Sequence, residues 1–416
     1  MAHLLIIELP GGNDTDILET ASKLGHSFVF LTQDIWTYKK KEHVEKWISK
    51  ATQVIQSPSF DYSIIESEVL QSHARQAFDA VLCLIDIRLI EASKLANRLN
   101  LRYLNEGSAS LVRDKFKVRQ KLALHGIAQA PFELATSNTG VLEAIQKVGL
   151  PLLIKPTDGY GSQNILTLQT EEDFEFASEA LANLLPLATD YGLGVRSNDR
   201  LLIERYMHGS LIGCDTFTLD GKHRLLGVNE KIMFEPPSFA IRGGCFTPNQ
   251  GQMSEIEDYA FSILDAIEFD QGAAHIEIML TDEGPRLVEV NARLVGAKIP
   301  RLLSYALNRS VHEALIQLHL GEKFLEDVLS SEMQFAVTRW LVSSEAGRLK
   351  QIELPEWSNK AISCVELLAK PGDQVTYPFE NANRLGYVMT LGAKRADAEN
   401  LANQFIDEAK ICLETV

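Results

Sequence analysis

Residues 275–291 alternate between apolar and polar side chains on both sides of a short polar turn, a pattern that predicts two paired antiparallel strands. If the turn is centred on Glu283, Glu277 lies opposite Glu289 and His275 lies opposite Asn291 on one face. The other face then carries Ile276, Ile278, Val288 and Val290. Opposed carboxylates repel each other unless a cation lies between them. The hairpin therefore has one face for burial and one face suited to a cation.

The polar face of this hairpin carries hard oxygen donors of the kind that Mg²⁺ or Mn²⁺ prefers. We therefore predict that Glu277, Glu289 and Asn291 bind a divalent metal ion. The alternative is an acidic face that meets only water, but the run Glu-x-Asn-x-Arg up to Arg293, paired with His-x-Glu, favours the metal site. His275 is either a substrate-contacting group or a histidine satisfied by internal hydrogen bonds.

Length, charge and cysteine usage limit the classes of protein. A chain of 416 residues predicts two or three domains, and a net charge of −16 argues against a nucleic-acid or anionic-membrane surface. The cysteines are five in number, widely spaced and without C-x-x-C, which argues against a disulfide framework or zinc site and favours the reducing cytoplasm. No apolar run approaches bilayer length and no basic leader begins the chain, so we expect neither export nor membrane insertion.

The order of strand and helix patterns divides the chain into three regions. Residues 1–108 alternate apolar strands with amphipathic helices, which predicts a parallel α/β domain, although the turn after the first strand lacks G-x-G-x-x-G. Residues 109–335 begin with a helix over 110–125 that ends at Gly126. Residues 336–416 combine strands with a last helix over 396–413, which predicts a C-terminal α+β segment.

A glycine-rich hairpin lies between the apolar strands 151–156 and 165–168. Its tip contains Gly159, Gly161 and Ser162, whose backbone N–H and hydroxyl groups suit phosphate oxygens, and Lys155 supplies a charge at its mouth. Glycine turns without function are common, and no Walker A motif occurs in the chain. Further on, Glu204 and the segment after it either read the edge of an adenine or form an ordinary linker.

In this order, these motifs resemble the ATP-grasp family of carboxylate-amine ligases, and within it the L-amino-acid ligases that make dipeptides. The motifs are Asp114-Lys115 with Arg119, Lys155-Pro156 with the glycine hairpin, Glu204-Arg205-Tyr206-Met207, Glu277, and Glu289-Val290-Asn291-Ala292-Arg293. The resemblance covers nearly the full length, including the tail around Arg384-Leu385-Gly386-Tyr387. It implies an ATP-grasp fold preceded by a pre-ATP-grasp domain, and a reaction that uses ATP.

The resemblance also implies roles for individual residues. Lys115 and Lys155 would contact the phosphates and the adenine side of ATP, and the lid would contain Gly159, Gly161 and Ser162. Glu204 and the backbone of Tyr206 would hold the adenosine. Two Mg²⁺ or Mn²⁺ ions would be held by Glu277, Glu289 and Asn291, and Arg293 would hold the reacting phosphate. We count Lys231 with the nucleotide-binding residues; it and Arg242 flank a Pro-Pro loop, where lining the acceptor site and a solvated charge both stay open.

This sequence departs from the family pattern at two places. Gly209 is followed by Ser210 rather than an acidic residue, which leaves the ribose ligand open, with Asp215 as a substitute. Ala297 stands where some dipeptide ligases have a bulky aromatic residue, which implies a roomier substrate pocket.

The implied reaction activates a carboxylate as an acyl phosphate, which an amine then attacks to form an amide. Arg293 or the backbone of Arg242, Gly243 and Gly244 would stabilise the oxyanion, with a plain turn at the two glycines as the alternative. We expect amino-acid substrates, and a homodimer on base rates alone. The alternatives are an ATP-grasp carboxylase or purine-pathway enzyme, and a nucleotide-binding regulator that has lost turnover.

Overall fold

The computed structural model describes residues 1–12, 14–159, 164–187, 189–234, 240–322, 332–378 and 383–414. The N-terminal region is a parallel sheet with the strand order β3-β2-β1-β4, as its sequence predicts. Its elements are β1 (His3–Ile7), α1 (Asp16–Lys23), β2 (Ser27–Thr32), α2 (Ile35–Lys39), α3 (Glu42–Ile48), β3 (Gln53–Gln56), α4 (Tyr62–Arg75), β4 (Ala80–Cys83) and α5 (Leu89–Arg98).

Both faces of this parallel sheet are buried, which explains why its strands are apolar throughout. Leu5 and Ile7 face a cluster that includes residues of α4 and α5. Leu4 and Ile6 face a cluster that includes helices from later in the chain. The face of the N-terminal sheet that carries Leu4 and Ile6 therefore shares a hydrophobic core with helices from later in the chain.

The helix predicted over residues 110–125 is wrong, because the chain forms two helices there. These are α6 (Glu106–Val112) and α7 (Lys115–Leu124). Asp114 separates them as the N-cap of α7, where its carboxylate accepts hydrogen bonds from the N–H groups of Phe116 and Lys117. Gly126 follows α7 with a φ of 67°, consistent with the predicted C-terminal glycine.

A four-stranded sheet with the order β5-β10-β6-β7 follows. Its region contains β5 (Phe132–Ala135), α8 (Asn138–Val148), β6 (Leu152–Pro156), β7 (Leu166–Leu168), α9 (Glu171–Leu181), β8 (Asp190–Gly192), β9 (Val195–Arg196) and β10 (Leu201–Arg205). β6 and β7 form the predicted antiparallel hairpin, and β8 and β9 form a second, smaller one.

An eight-stranded sheet with the order β15-β14-β11-β12-β13-β16-β20-β18 forms the largest layer. Its region contains β11 (Ser210–Leu219), β12 (Lys222–Met233), β13 (Ile241–Pro248), α10 (Ser254–Ala266), β14 (Gly272–Thr281), β15 (Gly284–Asn291), α11 (Ile299–Ala306), α12 (Val311–His319), β16 (Phe335–Leu341), β17 (Gly347–Glu353), β18 (Ile362–Leu367), β19 (Gln374–Val375), β20 (Gly386–Gly392), α13 (Arg395–Glu408) and β21 (Lys410–Leu413). The C-terminal strands β16, β18 and β20 thus extend the central sheet.

The last helix ends earlier than its sequence predicts. α13 stops at Glu408, and residues 410–413 form β21, which pairs with β17. In the part of the chain that the structure describes, no helix combines the length and apolar character needed to cross a bilayer.

Candidate active site

The hairpin of β14 and β15 places the predicted residues opposite each other, with Glu277 facing Glu289 and His275 facing Asn291. The turn is shorter than predicted, because Thr281 already pairs with Gly284. A bulge between Glu277 and Ile278 restores the register.

The bulge also changes which residue of β15 is buried. Leu287, rather than the predicted Val288, joins Ile278 in the core. The carbonyl oxygen of Val288 instead accepts hydrogen bonds from Arg119 Nη2 at 2.8 Å and from Lys155 Nζ at 3.4 Å. The hairpin is thereby joined to α7 and β6.

Each carboxylate of the opposed pair contacts a lysine from another element. Glu277 Oε1 lies 2.6 Å from Lys231 Nζ on β12, and Glu289 Oε1 lies 2.9 Å from Lys115 Nζ at the start of α7. Burial disfavours the charged form of Glu277, but Lys231 and His275 outweigh it and lower its pKa. The two ammonium groups place positive charge beside the carboxylates, where the sequence analysis expects it from a metal ion.

The donor set at this position fits a hard divalent cation. Glu277 and Glu289 offer carboxylate oxygens, and Asn291 adds an amide oxygen beside Arg293 Nη2, 3.4 Å away. Across the described ranges of the chain, no three His, Cys, Asp or Glu side chains form a metal-type cluster. The amide oxygen of Asn291 would be the third donor, and metal binding at this position stays a prediction.

His275 is buried between two carboxylates. Its Nδ1 donates to Asp215 Oδ1 at 2.8 Å, and its Nε2 lies 3.6 Å from Glu277 Oε1. Burial alone would lower the pKa of His275, but Asp215 and Glu277 together raise it. The ring lies over Gly213, where a Cβ would be 2.2 Å from His275 Cε1, so this position has room only for glycine.

Asp215 is 2% exposed and bonded to His275, so its carboxylate is not placed for a ribose hydroxyl. This corrects the expectation that it substitutes for a ribose ligand.

A buried ion-pair triad lies next to the backbone of the same hairpin. Glu204 on β10 is fully buried, and its carboxylate bonds both Arg119 Nη2 at 3.0 Å and Lys155 Nζ. Burial would raise the pKa of Glu204, but the two cations lower it. Burial also lowers the pKa of Lys155 in spite of Glu204. Glu204 therefore fixes the two cations that also bind the bulge carbonyl.

The glycine hairpin contacts Lys115, the lysine that also contacts Glu289. Lys115 Nζ donates to the carbonyl oxygen of Gly159. Tyr160, Gly161 and Ser162 lie outside the described residues, and so does the Pro236-Pro237 loop. Tyr206, which follows β10, donates its N–H to Pro151 O at 2.9 Å.

Arg293 is fixed by a residue of the N-terminal domain. Its Nη2 lies 2.6 Å from Oδ2 of Asp86, which is the third residue after β4. Burial alone would lower the pKa of Arg293, but Asp86 reverses the direction and raises it. Asp86 was not predicted from the sequence, although its place at the carboxyl end of a parallel strand was a usable signal.

Gly243 and Gly244 lie inside β13, so the alternative of a plain turn at these glycines is wrong. A Cβ on Gly243 would lie 2.3 Å from Thr338 O, and one on Gly244 would lie 2.7 Å from Glu230 O. The glycines allow β12, β13 and β16 to approach closely. Arg242, next to them, is exposed and is not among the residues that line the cavities described below.

Two cavities meet at the segment from Arg293 to Ala297. The smaller, about 290 Å³, contains Lys231, Gly243, Gly244, His275, Glu277, Glu289 and Asn291. The larger, about 360 Å³, lies at the carboxyl ends of β1 and β4 and has mostly apolar walls, including Leu9, Leu84, Ile85, Leu294 and Val295. Arg293, Gly296 and Ala297 line both, so small residues form part of the boundary.

The ion pairs around the hairpin balance each other. The cations are Lys115, Arg119, Lys155, Lys231 and Arg293, and the anions are Asp86, Glu204, Asp215, Glu277 and Glu289. A nucleoside triphosphate and two divalent cations carry opposite charges of similar size. If they bound together, they would leave the net charge of this region nearly unchanged.

Comparison with known families gives two matches. A family model described as an ATP-grasp domain matches residues 148–300, and a model described as L-amino acid ligase C-terminal domain 2 matches residues 339–414. Together they cover three strands of the four-stranded sheet (β6, β7 and β10), the hairpin with the opposed carboxylates, and the strands from β17 to β21.

The individual relatives share less than a quarter of their aligned residues with this chain. An uncharacterised protein of Sinorhizobium fredii is 24% identical over 322 residues, which are 76% of this chain and 64% of that protein. The chain thus spans just under two thirds of this relative's length. An L-arginine-specific L-amino acid ligase of Bacillus subtilis is 23% identical over 322 residues, 76% of this chain and 75% of that protein.

Among solved structures, an L-amino acid ligase from Bacillus licheniformis has a TM-score of 0.80 and 19% identity, over 100% of this chain and 99% of that chain. The likeness shows that the two chains share a fold over their full lengths.

Proposed function

The chain is an ATP-grasp protein whose C-terminal region is of the L-amino acid ligase type, and from this premise we propose that it is an ATP-dependent carboxylate-amine ligase. In the proposed reaction, an amino acid or related carboxylate is joined to an amino acid through an acyl phosphate, with release of ADP and phosphate. The observation that carries this proposal is the opposed pair Glu277 and Glu289 on the wall of the smaller cavity, each contacted by a lysine.

The residues around the pair suit phosphoryl transfer. Lys115 and Lys155 lie beside the glycine hairpin and can bind phosphate oxygens, and Asp86 holds Arg293 in place for the transferred phosphate. Mg²⁺ or Mn²⁺, held by Glu277, Glu289 and Asn291, would neutralise charge on the phosphates during transfer. In the proposed reaction the attacking amine belongs to the second substrate rather than to the protein.

The mostly apolar walls of the larger cavity suit a substrate with an apolar side chain. This cavity lies where neighbouring strands β1 and β4 lead to opposite sides of the sheet, the place at which open α/β sheets bind ligands. The match of residues 339–414 to an L-amino acid ligase C-terminal domain favours this function over a purine-pathway enzyme. The intact set of carboxylates disfavours a regulator without turnover.

The test is nucleotide turnover by the purified protein with ATP, Mg²⁺ and pooled amino acids. We expect ADP and phosphate that depend on the amino acids, and mass spectrometry should detect a condensed product. Glu277→Gln should abolish this release, whereas Glu283→Gln, which changes an exposed residue at the tip of the same hairpin, should not. Release of AMP, or no dependence on any amino acid, would contradict the proposal.

The composition and the five unpaired cysteines support placing this activity in the cytoplasm.

A further inference from the structure

The hairpin of β8 and β9 forms one wall of the larger cavity. Tyr191 on β8 and Leu193 at the hairpin tip line this cavity, whose other walls come mainly from the N-terminal domain and from the segment between Arg293 and Pro300. The hairpin itself lies in the region of the four-stranded sheet, which also contains the glycine hairpin. The larger cavity is therefore bounded in part by the region that we propose to hold the nucleotide.

The tip of the β8–β9 hairpin is fixed against the N-terminal domain. Arg88 Nη2 donates to the carbonyl oxygen of Leu193 and to Gln33 Oε1, the latter at 3.2 Å. Arg88 is 3% exposed, and its Cζ lies 3.7 Å from the centre of the Phe60 ring. A Cβ on Gly194 would lie 2.7 Å from Gln33 Nε2, so the tip meets this surface without space for another side chain. Leu193 is thus held at the cavity wall through its own backbone.

The backbone of Leu193 has a conformation that leucine rarely adopts. Its φ is 49°, and it lies between Gly192 and Gly194, whose φ values are also positive. A side chain in this region is sterically strained and persists only where surrounding contacts impose it, which occurs often at functional sites. A third glycine would adopt this conformation without strain. The strain favours a role for the leucine side chain at the cavity.

The same hairpin is bonded to the residue that precedes Gly159 of the glycine hairpin. The Tyr191 hydroxyl donates to Asp158 Oδ1 at 3.1 Å. The N–H of Asn198, the second residue after β9, donates to Asp158 Oδ2 at 2.9 Å. Both oxygens of this carboxylate therefore accept hydrogen bonds from the β8–β9 hairpin and the residues that follow it.

From Asp158 the contacts continue to the opposed carboxylates. The carbonyl oxygen of Asp158 accepts a hydrogen bond from Arg113 Nη2 at 2.7 Å, and that of Gly159 accepts one from Lys115 Nζ. Lys115 Nζ in turn lies 2.9 Å from Glu289 Oε1. A series of direct contacts thus joins the larger cavity to the proposed phosphate and metal site.

We propose that Tyr191 is a positioning residue that couples binding of a substrate side chain in the larger cavity to binding of the nucleotide at the glycine hairpin. A side chain in the cavity packs against Tyr191 and Leu193, and so holds the Tyr191 hydroxyl on Asp158. The nucleotide favours the same arrangement of Asp158 from the other side. Each ligand then tightens the binding of the other by the same factor. The inference rests on the proposed function and adds a means of restricting ATP turnover to the substrate-bound enzyme.

Binding calorimetry tests this coupling. It measures the Kd of a non-hydrolysable ATP analogue with Mg²⁺, first alone and then with L-leucine, L-methionine or L-phenylalanine in turn. For the wild type, at least one of these amino acids should lower the Kd about 5- to 150-fold, the usual range of coupling between two sites. Tyr191→Phe keeps the ring at the cavity and removes the bond to Asp158, so the factor should fall to about twofold or less. Because the factor is a ratio of two affinities of the same variant, a general loss of nucleotide binding cancels.

Two further variants and a control separate coupling from structural damage. Asp158→Asn should reduce the factor as Tyr191→Phe does, and the double variant should reduce it no further, because both changes act on one bond. Leu193→Ala should also reduce the factor, since it removes the side chain at the tip. Tyr62→Phe, which changes a tyrosine of α4 that lines neither cavity, should keep the wild-type factor.

The outcomes distinguish this inference from the proposed function. An equal factor in the wild type and Tyr191→Phe, or no effect of any of the three amino acids on the wild type, overturns the inference. Absence of ADP release with every amino acid overturns the proposed function instead. Where turnover occurs, the wild type should release phosphate in step with the condensed product, and Tyr191→Phe should release phosphate in excess of it. Phosphate release by Tyr191→Phe that stays in step with the product also contradicts the inference.

Discussion

Removing the charge of Glu204 should destabilise the protein in a way that depends on pH. Glu204→Gln leaves Arg119 and Lys155 buried beside each other without their shared anion. Breaking a buried ion pair in this way costs about 3 to 5 kcal/mol. The protein can limit the loss by releasing the proton of Lys155.

The free-energy cost of deprotonating Lys155 sets an upper limit on the destabilisation, and this cost follows from the pKa of lysine. The ordinary value for Lys155 is 10.5. Deprotonation therefore costs about 5 kcal/mol at pH 7 and about 2 kcal/mol at pH 9, at about 1.36 kcal/mol per pH unit. The destabilisation of Glu204→Gln should accordingly fall from about 3 to 5 kcal/mol at pH 7 to about 2 kcal/mol at pH 9.

The assay is urea denaturation followed by circular dichroism at both pH values. Glu268→Gln is the matched control, because Glu268 pairs with Lys121 at 2.8 Å but its side chain is 75% exposed, and its loss should stay within about 1 kcal/mol. A loss below about 1 kcal/mol for Glu204→Gln at pH 7, or an equal loss at pH 9, would refute the reasoning. The double variant with Lys155→Met should recover part of the stability, because it removes one of the two buried cations.

Three further substitutions test other contacts. Burial lowers the pKa of His319 from 6.5 to about 4, so its contribution to stability is complete above pH 6.5 and is lost as the pH falls towards 4. The stability difference between wild type and His319→Gln should therefore change by about 3 kcal/mol over this window in urea titrations, and a constant difference would contradict it. Gly213→Ala should displace the His275 ring, cost about 1 to 3 kcal/mol and reduce phosphate release, whereas full activity would show that the ring can move freely. Asp86→Asn should loosen Arg293 and lower kcat/KM about tenfold or more, and an unchanged value would remove Asp86 from the site.

The opposed carboxylates could be predicted because side-chain alternation fixes which residues share a face. The predicted turn was one residue too long, and the bulge adds one residue to β15, so the two errors cancel at Glu277 and Glu289. They do not cancel nearer the turn, where Leu287 rather than Val288 is buried. A bulge depends on partners elsewhere, here Arg119 and Lys155, and no local pattern reports them.

The positive charges that meet the carboxylates could not be assigned from the hairpin alone. Lys231 and Lys115 reach Glu277 and Glu289 from a different strand and a helix, 46 and 174 residues away along the chain. Likewise, the single helix predicted over residues 110–125 missed the break at Asp114, whose capping hydrogen bonds decide where α7 begins. Local periodicity predicts faces, whereas side-chain pairs between elements require the packed fold.

Metal binding by the opposed carboxylates is the central claim, and Mn²⁺ titration followed by electron paramagnetic resonance tests it without requiring turnover. In the presence of a non-hydrolysable ATP analogue, wild type and Glu283→Gln should bind Mn²⁺ equally, because Glu283 is exposed at the hairpin tip. Glu289→Gln should weaken binding at least about tenfold, since it replaces a charged oxygen donor with a neutral one. Equal Mn²⁺ affinity in Glu289→Gln and the wild type would contradict the account.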